Sequence, residues 1–127
     1  MIFTFVFLGQ DITWVNQPPN PTFGVRDENV TLEWQYRLNA SDRLSQFFLK
    51  RRENNEMEEL VSYVASNNEK TYFNKKFVML KHAIPSFMLI NAQESDATKY
   101  CCRILTANGK KGRSCVELKI LGESPQM

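Results

Sequence analysis

The chain has almost none of the residues that carry enzymatic or metal chemistry. Its 127 residues include one histidine, His82, and three cysteines, of which Cys101 and Cys102 are adjacent while Cys115 lies apart. Zinc sites need Cys or His ligands at spacings such as Cys-x-x-Cys, and a nucleophile needs a basic partner. No glycine-rich phosphate loop occurs either. The sequence therefore predicts a protein that is not an enzyme and that binds neither a metal nor a cofactor.

The chain also lacks an excess of charge and a long apolar run. Sixteen basic residues against fourteen acidic ones give a formal net charge of +2, which is too small to indicate a nucleic-acid partner. No apolar stretch approaches the roughly 20 residues that a membrane-spanning helix requires. We therefore expect no nucleic-acid partner, and attachment to a membrane only through a segment outside this chain.

What the sequence does contain is a series of short segments in which apolar and polar residues alternate, as they do in half-buried strands. The clearest is residues 30–36, where Val, Leu, Trp and Tyr occupy every second position. Residues 87–89, 100–104 and 116–120 follow the same pattern, and an Asn108-Gly109 turn motif separates the last two. Because helical periodicity is weak throughout, the sequence predicts an all-β fold.

A motif at residues 96–102 is more specific than the alternation. It reads Asp-Ala-Thr-Lys-Tyr-Cys-Cys and resembles the entry to strand F of the immunoglobulin superfamily, where a tyrosine returns its hydroxyl to backbone just upstream. The resemblance implies a V-type antiparallel sandwich of about nine strands with Greek-key connections. It places Tyr100 and Cys102 in the core and pairs Asp96 with a basic residue, Lys75 or Lys76, across the sandwich base.

Strand B of this superfamily normally carries the cysteine that bonds to strand F, but here Trp34 occupies that position. The usual inter-sheet disulfide therefore cannot form. Such a bond contributes about 2–4 kcal/mol, whereas burying an indole of about 150–250 Å² contributes at most about 4–6 kcal/mol. We expect Trp34 to lie in the core and to offset the missing bond. Phe47 or Phe48 takes the place of the usual strand C tryptophan.

The interval between Trp34 and Cys102 favours the V-type fold over shorter immunoglobulin folds. It spans 68 positions (102 − 34), which leaves room for strands C, C′, C″, D and E at about five or six residues each. Residues 51–56 are predicted as a polar turn between C and C′, residues 60–65 as strand C′, and residues 77–80 as strand D.

The pairing of the three cysteines follows from the faces on which they lie. Cys102 shares the inward phase of Tyr100, whereas Cys101 and Cys115 fall on the outer face of strands F and G. These strands are hairpin neighbours, and cross-strand positions meet the Cβ separation of about 3.5–4.5 Å that a disulfide requires. The sequence predicts a Cys101–Cys115 bond, with Cys102 as a buried free thiol.

Two sequons indicate a secreted or cell-surface protein. Asn29-Val30-Thr31 and Asn39-Ala40-Ser41 both match the N-glycosylation pattern, and both fall near the turns that bracket strand B. Residues 1–9 form a short apolar run that we interpret as a signal-peptide remnant or as a first strand. Residues 10–121 are then the V-set-like domain, and residues 122–127 a linker to a following segment.

The sequence also indicates a binding surface. In Phe47-Phe48-Leu49 one strand register exposes Phe48 and the other exposes Phe47 with Leu49, so a large apolar group faces outward unless neighbouring strands cover it. Four basic residues are predicted to belong to the same sheet face: Arg103, Lys110, Lys111 and Arg113. An acidic patch on a partner would complement them, and Glu56, Glu58 and Glu59 of a second copy are candidates.

A narrower resemblance concerns function. Residues 19–23 (Pro-Asn-Pro-Thr-Phe) and residues 28–34, which end in Trp34, resemble the immunoglobulin-like surface proteins of cnidarians, among them the allorecognition receptors of colonial species. The resemblance implies the extracellular recognition domain of a single-pass cell-surface receptor. Its partner would be another copy of itself or a related receptor on an opposing cell. The alternative is a secreted or spacer domain that binds a non-self or heterologous ligand.

Overall fold

The alternating segments form strands within residues 12–122, the part of the chain that the computed structural model describes. In chain order the strands are β1 (Ile12–Asn16), β2 (Thr22–Val25), β3 (Val30–Glu33), β4 (Gln35–Leu38), β5 (Leu44–Glu53), β6 (Glu56–Val64), β7 (Glu69–Tyr72), β8 (Phe77–Met79), β9 (Ser86–Leu89), β10 (Lys99–Thr106) and β11 (Lys111–Leu121). A 3-10 turn at Glu94–Asp96 precedes β10. Residues 1–9, which we interpret as a signal-peptide remnant or a first strand, lie outside the described residues. Residues 123–127 of the predicted linker do so as well.

The strands make the V-type immunoglobulin sandwich that the sequence predicts. One sheet has the order β2-β11-β10-β5-β6-β7, which corresponds to A′GFCC′C″, and the facing sheet has the order β3-β9-β8, which corresponds to BED. β1 pairs with β4 in a small third sheet. β2 runs parallel to β11, and the other neighbouring pairs are antiparallel. There are more segments than the expected nine because strand A is split into β1 and β2, and strand B is interrupted at Trp34.

The inward side chains of both sheets form one core. Most of those predicted from period-two alternation are buried: Val30, Leu32, Trp34, Phe87, Leu89, Tyr100, Cys102, Ile104, Val116 and Leu118. Tyr36 and Ile120, which the same alternation places inward, are only partly buried. Phe47 supplies the core aromatic of strand C, since its ring stacks on Tyr63 at a centroid distance of 5.0 Å and meets Phe87 edge-on at 5.9 Å. Phe47, and not Phe48, therefore takes the place of the usual strand C tryptophan.

Trp34 links the two sheets by a hydrogen bond. Its side chain is fully buried, and the indole Nε1–H donates to the hydroxyl of Ser114 on β11 at 2.9 Å. Ser114 is the direct cross-strand neighbour of Cys102, and its own hydroxyl donates onward to the side-chain oxygen of Gln17. The indole also meets Phe87 edge-on at 6.3 Å. A polar contact therefore joins strands B and G beside the place where the superfamily disulfide would lie.

A second buried network closes the base of the sandwich around Asp96. The Tyr100 hydroxyl donates to the Asp96 carbonyl at 2.7 Å, which is the tyrosine corner that the motif implies. The Asp96 carboxylate accepts from Lys76 Nζ at 2.6 Å and from Arg51 Nη1 at 3.0 Å. Lys76 is thus the residue that pairs with Asp96, whereas Lys75 is exposed. The sequence did not indicate Arg51, which reaches Asp96 from β5, the neighbour of β10 in the six-stranded sheet.

These donors hold Asp96 ionised. Burial opposes ionisation, but hydrogen bonds from Lys76, from the Gln93 backbone N–H and from Arg51 outweigh it and lower the pKa of the Asp96 carboxyl below its ordinary value. Burial raises the pKa of Tyr100 to about 12, so its hydroxyl stays protonated and continues to donate. Asp96 therefore connects β5, the residues just before β8 and the start of β10, through its ion pairs with Arg51 and Lys76 and the hydrogen bond from the neutral Tyr100 hydroxyl.

The turn between strands C and C′ is shorter than predicted. β5 continues to Glu53 and β6 begins at Glu56, so the expectations of a turn over residues 51–56 and a C′ strand over residues 60–65 are wrong in their bounds. Asn54 and Asn55 form the two-residue turn with φ of 51° and 71°, the left-handed values that suit asparagine in a tight hairpin. Beyond the core both faces of these strands meet water, so apolar alternation ends before the strands do.

The cross-sheet hydrogen bond should be measurable in a double-mutant cycle. Trp34→Phe removes the indole donor, and Ser114→Ala removes its acceptor. Ser114→Ala should lower the free energy of unfolding by about 1–2 kcal/mol. Trp34→Phe should lower it by more, because this substitution also leaves a cavity. Because both delete one bond, the double variant should be less destabilised than the sum of the two. Urea unfolding of the four proteins measures this, and strict additivity would contradict the bond's role.

The Asp96 network should make stability depend on pH in acid. Asp96→Asn should lower the free energy of unfolding by about 2–3 kcal/mol at neutral pH, and Glu94→Gln on the same turn, where the carboxylate is exposed, serves as the control. Since the folded-state pKa of Asp96 is lowered, its contribution is complete above the unfolded pKa of about 3.9 and is lost as pH falls through the folded value. A difference between wild type and Asp96→Asn that persists unchanged into strong acid would refute this assignment.

Candidate binding face

The outward side of the six-stranded sheet, which we call the outer face, holds the predicted binding residues in aligned rows. β10 pairs in register with β11 on one side and β5 on the other. The central row runs from Arg113 through Arg103 and Phe48 to Ser62 and Thr71. Because residues in register share a face of the sheet, these side chains project to the same side.

Phe48 is the outward aromatic residue of strand C. It is half-buried, and the Lys50 ammonium lies 5.6 Å from its ring centroid, within cation–π range. Phe47 and Leu49 have no exposed surface, so the expectation that either belongs to an interface is wrong. The reason is the register of β5, since side chains on either side of Phe48 must point into the core. Phe48 is therefore the apolar centre of the outer face.

Basic side chains surround an open depression of about 550 Å³ beside Phe48. The cations that line it are Lys50, Arg103, Lys111 and Arg113, and Met57 and Cys101 contribute its apolar surface. Within residues 12–122 none of the four cations makes an ion pair with a carboxylate. Lys110 lies just outside the depression, exposed on the turn before β11, where its backbone N–H donates to Thr106 Oγ1.

Lys50 and Met57 are members of this site that the sequence analysis missed. Both lie on the outer face only if Phe48 points outward, because Lys50 is two residues further along β5 and Met57 lies on β6, opposite Arg52. The period-two alternation therefore held the information that places Lys50 and Met57 on the outer face. Using it required the register of strand C, which the sequence left open.

Cys101, one of the residues that line the depression, belongs to a disulfide. The structure contains the predicted bond between Cys101 and Cys115, which are cross-strand neighbours with a Cα–Cα distance of 4.0 Å. Cys101 is almost fully buried, and Arg113 Nη2 lies 3.7 Å from its sulfur. The bond ties strand F to strand G two residues along the strands from the Arg103 and Arg113 pair, so it restrains the strands that carry these two residues.

Cys102 is a free thiol on the opposite, inward side of β10. It has no exposed surface, and burial raises the pKa of its thiol far above the ordinary range. A thiol that is neither ionised nor accessible is unreactive. Cys102 therefore acts as a packing residue in the same core cluster as Trp34.

The sequons and the remaining polar residues have simple positions. Asn29 and Asn39 are both exposed, and the side-chain oxygen of Asn29 accepts from the Asn91 backbone N–H at 2.9 Å. His82 is exposed and meets Tyr63 edge-on at 6.3 Å. Within the described residues no three His, Cys, Asp or Glu side chains cluster as metal ligands would. In the same part of the chain there is no helix with the length and apolarity to cross a membrane.

Comparisons with known proteins bear on the fold. No protein-family model matches the chain, and no curated protein matches it in sequence. Among solved structures, murine CRIg superposes with a TM-score of 0.74, covering 87% of this chain and 98% of that one at 12% sequence identity. In all, 1981 chains of solved structures match, so the architecture is a common one. At this level of identity the likeness to murine CRIg establishes the fold alone.

The cysteine assignment predicts a definite thiol count. The folded, unreduced protein should react with no equivalents of a thiol reagent such as DTNB, and with one equivalent after unfolding in guanidinium, because Cys102 is buried and Cys101–Cys115 stays oxidised. Cys102→Ala is the control and should show none in either state. A reactive thiol in the folded protein, or three in the unfolded protein, would contradict the assignment.

Proposed function

We propose that this chain is the extracellular recognition domain of a cell-surface receptor, and that it binds a protein partner through the outer face. One observation carries the proposal: a half-buried aromatic residue, Phe48, lies amid cations that have no acidic partner in the described part of the chain. Interface centres favour aromatic residues and arginine. Unpaired cations around an apolar centre are therefore better suited to a partner's surface than to water alone.

An extracellular location is supported by two features. A cross-strand disulfide persists in oxidising compartments and is rare in the cytosol, and this chain has one between Cys101 and Cys115. Two sequons have their asparagines, Asn29 and Asn39, on the exposed surface, as N-glycosylation requires. These features favour a place outside the cell, with any membrane anchor in another segment of the receptor.

The partner we propose is another copy of this domain or a closely related receptor. The resemblance at residues 19–23 and 28–34 to cnidarian surface proteins, including allorecognition receptors, supports recognition of self on an opposing cell. Trp34 in the strand B position is part of that resemblance, and it fills the core in the way described above. A measurement of self-association therefore tests the proposed self-recognition directly.

Sedimentation of the isolated domain tests self-binding. Wild type should self-associate weakly, with a sedimentation coefficient that rises with concentration, and Phe48→Asp should weaken the dimerisation constant at least tenfold because it places a charge at the apolar centre. Leu80→Asp is the matched control, since Leu80 is 45% exposed and follows β8 of the other sheet. A wild type that stays monomeric at the highest attainable concentration would overturn self-recognition and favour a spacer or a domain with a heterologous ligand.

A further inference from the structure

We infer that a row of cations across the outer face binds a linear sulfated polysaccharide. The row, which we call the cation stripe, consists of Lys111, Arg113, Arg103 and Lys50, all of which line the depression beside Phe48. The inference rests on the extracellular location in the proposed function, because sulfated polysaccharides are extracellular polymers. It does not depend on self-binding, since a single copy carries the whole stripe.

Strand register gives the cation stripe its course. Lys111 and Arg113 lie on β11. Arg103 on β10 is the direct neighbour of Arg113. Lys50 on β5 is the neighbour of Cys101, one row further along the strands. The stripe therefore crosses three adjacent strands obliquely, and with two strand spacings of about 4.8 Å and two row spacings of about 6.6 Å it is about 16 Å long.

The two arginines of the stripe occupy positions that destabilise the unliganded sheet. They are direct cross-strand neighbours, and like charges directly opposite each other are unfavourable. In the described part of the chain neither makes an ion pair with a carboxylate, and Arg113 Nη2 lies 3.7 Å from the sulfur of Cys101. An anion that accepts hydrogen bonds from both guanidinium groups would remove this repulsion. A sulfate ester offers three free oxygens for such bonds.

The carboxylates nearest to the stripe in register leave its charge available. Glu59 is the register neighbour of Lys50, but the Lys50 ammonium lies 5.6 Å from the centroid of the Phe48 ring. Glu117 is the register neighbour of Lys99, two rows beyond the arginine pair. Among the residues that the structure describes, neither glutamate forms an ion pair with a cation of the stripe. The four cations can therefore meet the anionic groups of a ligand.

The position of the stripe favours a polysaccharide over an acidic peptide. β11, β10 and β5 each have a neighbouring strand on both sides, so a peptide cannot add to the sheet there as a further strand and use backbone hydrogen bonds. Side chains alone must recognise the ligand. The half-buried ring of Phe48 offers an apolar surface against which the C–H side of a sugar ring can pack.

The spacing of the cations favours sulfate over carboxylate. Four cations along about 16 Å give roughly one positive charge every 5 Å. A polysaccharide with one carboxylate on each disaccharide would leave most of these charges unmatched, whereas sulfate esters add further anionic groups to each disaccharide. Sulfate esters stay ionised throughout the physiological pH range, as lysine and arginine do.

Binding to heparin, a linear sulfated polysaccharide, tests the inference. Wild type should bind heparin on a sensor surface, and the logarithm of its affinity should fall linearly with the logarithm of salt concentration. Arg103→Gln with Arg113→Gln should weaken binding at least tenfold at about 0.1 M salt and reduce the salt slope by about two, because two charge contacts are lost. Lys50→Gln with Lys111→Gln should reduce the slope by a similar amount.

A variant with the same change of net charge excludes general electrostatic attraction. Arg37→Gln with Lys75→Gln neutralises two exposed cations that lie off the outer face, and it should bind heparin as wild type does. Without heparin, every variant should unfold within a few degrees of wild type, so that weaker binding does not reflect lost folding. Equal weakening in this control would overturn the inference.

Two competitors identify the class of ligand. Free heparin should displace the chain from the surface, whereas heparin stripped of its sulfates and poly-glutamate should each compete at least tenfold less well. Equal competition by desulfated heparin would overturn the assignment to sulfate. Equal competition by poly-glutamate would assign the stripe to an acidic protein segment and would also overturn the inference.

Failure of this inference and failure of the proposed function are distinguishable. A wild type that does not bind heparin would overturn the polysaccharide site, while its self-association, measured by sedimentation without polysaccharide, would still stand. A wild type that binds heparin through the stripe but stays monomeric would confirm the site and overturn self-recognition.

Discussion

The hydrogen bond from the Trp34 indole to Ser114 is the contact on which the rest of this sandwich depends. It crosses between the two sheets at 2.9 Å, beside Cys102, where the superfamily ordinarily has a covalent bond. An indole there must bury its N–H, and a buried donor without an acceptor costs about 1–3 kcal/mol. Ser114 removes that cost and passes the bond on to Gln17. Tryptophan in strand B thus requires a small hydroxyl residue on strand G.

Because the Trp34–Ser114 hydrogen bond joins the two sheets, the disulfide of this chain can instead connect two strands of one sheet. Cys101–Cys115 closes a loop with a sequence separation of 14, and a loop of that size gives about 3 kcal/mol in the chain-entropy account, about 1 kcal/mol less than a bond spanning the 68 positions from strand B to strand F. The bond contributes less to global stability but fixes the F and G strands locally. These strands carry the cations of the outer face, so the bond restrains the surface through which we propose that a partner binds.

Period-two alternation predicted most of the core, and it also predicted the faces of the three cysteines, because parity along one strand needs no knowledge of its neighbours. It could not settle Phe47-Phe48-Leu49, where three consecutive apolar residues fit either register. Arg51 was missed for a different reason. Its partner Asp96 lies 45 residues away, and no local pattern marks a contact between β5 and the turn before β10. The candidate site had the same limit, because Lys50 can be assigned to the outer face only when the register of β5 is known.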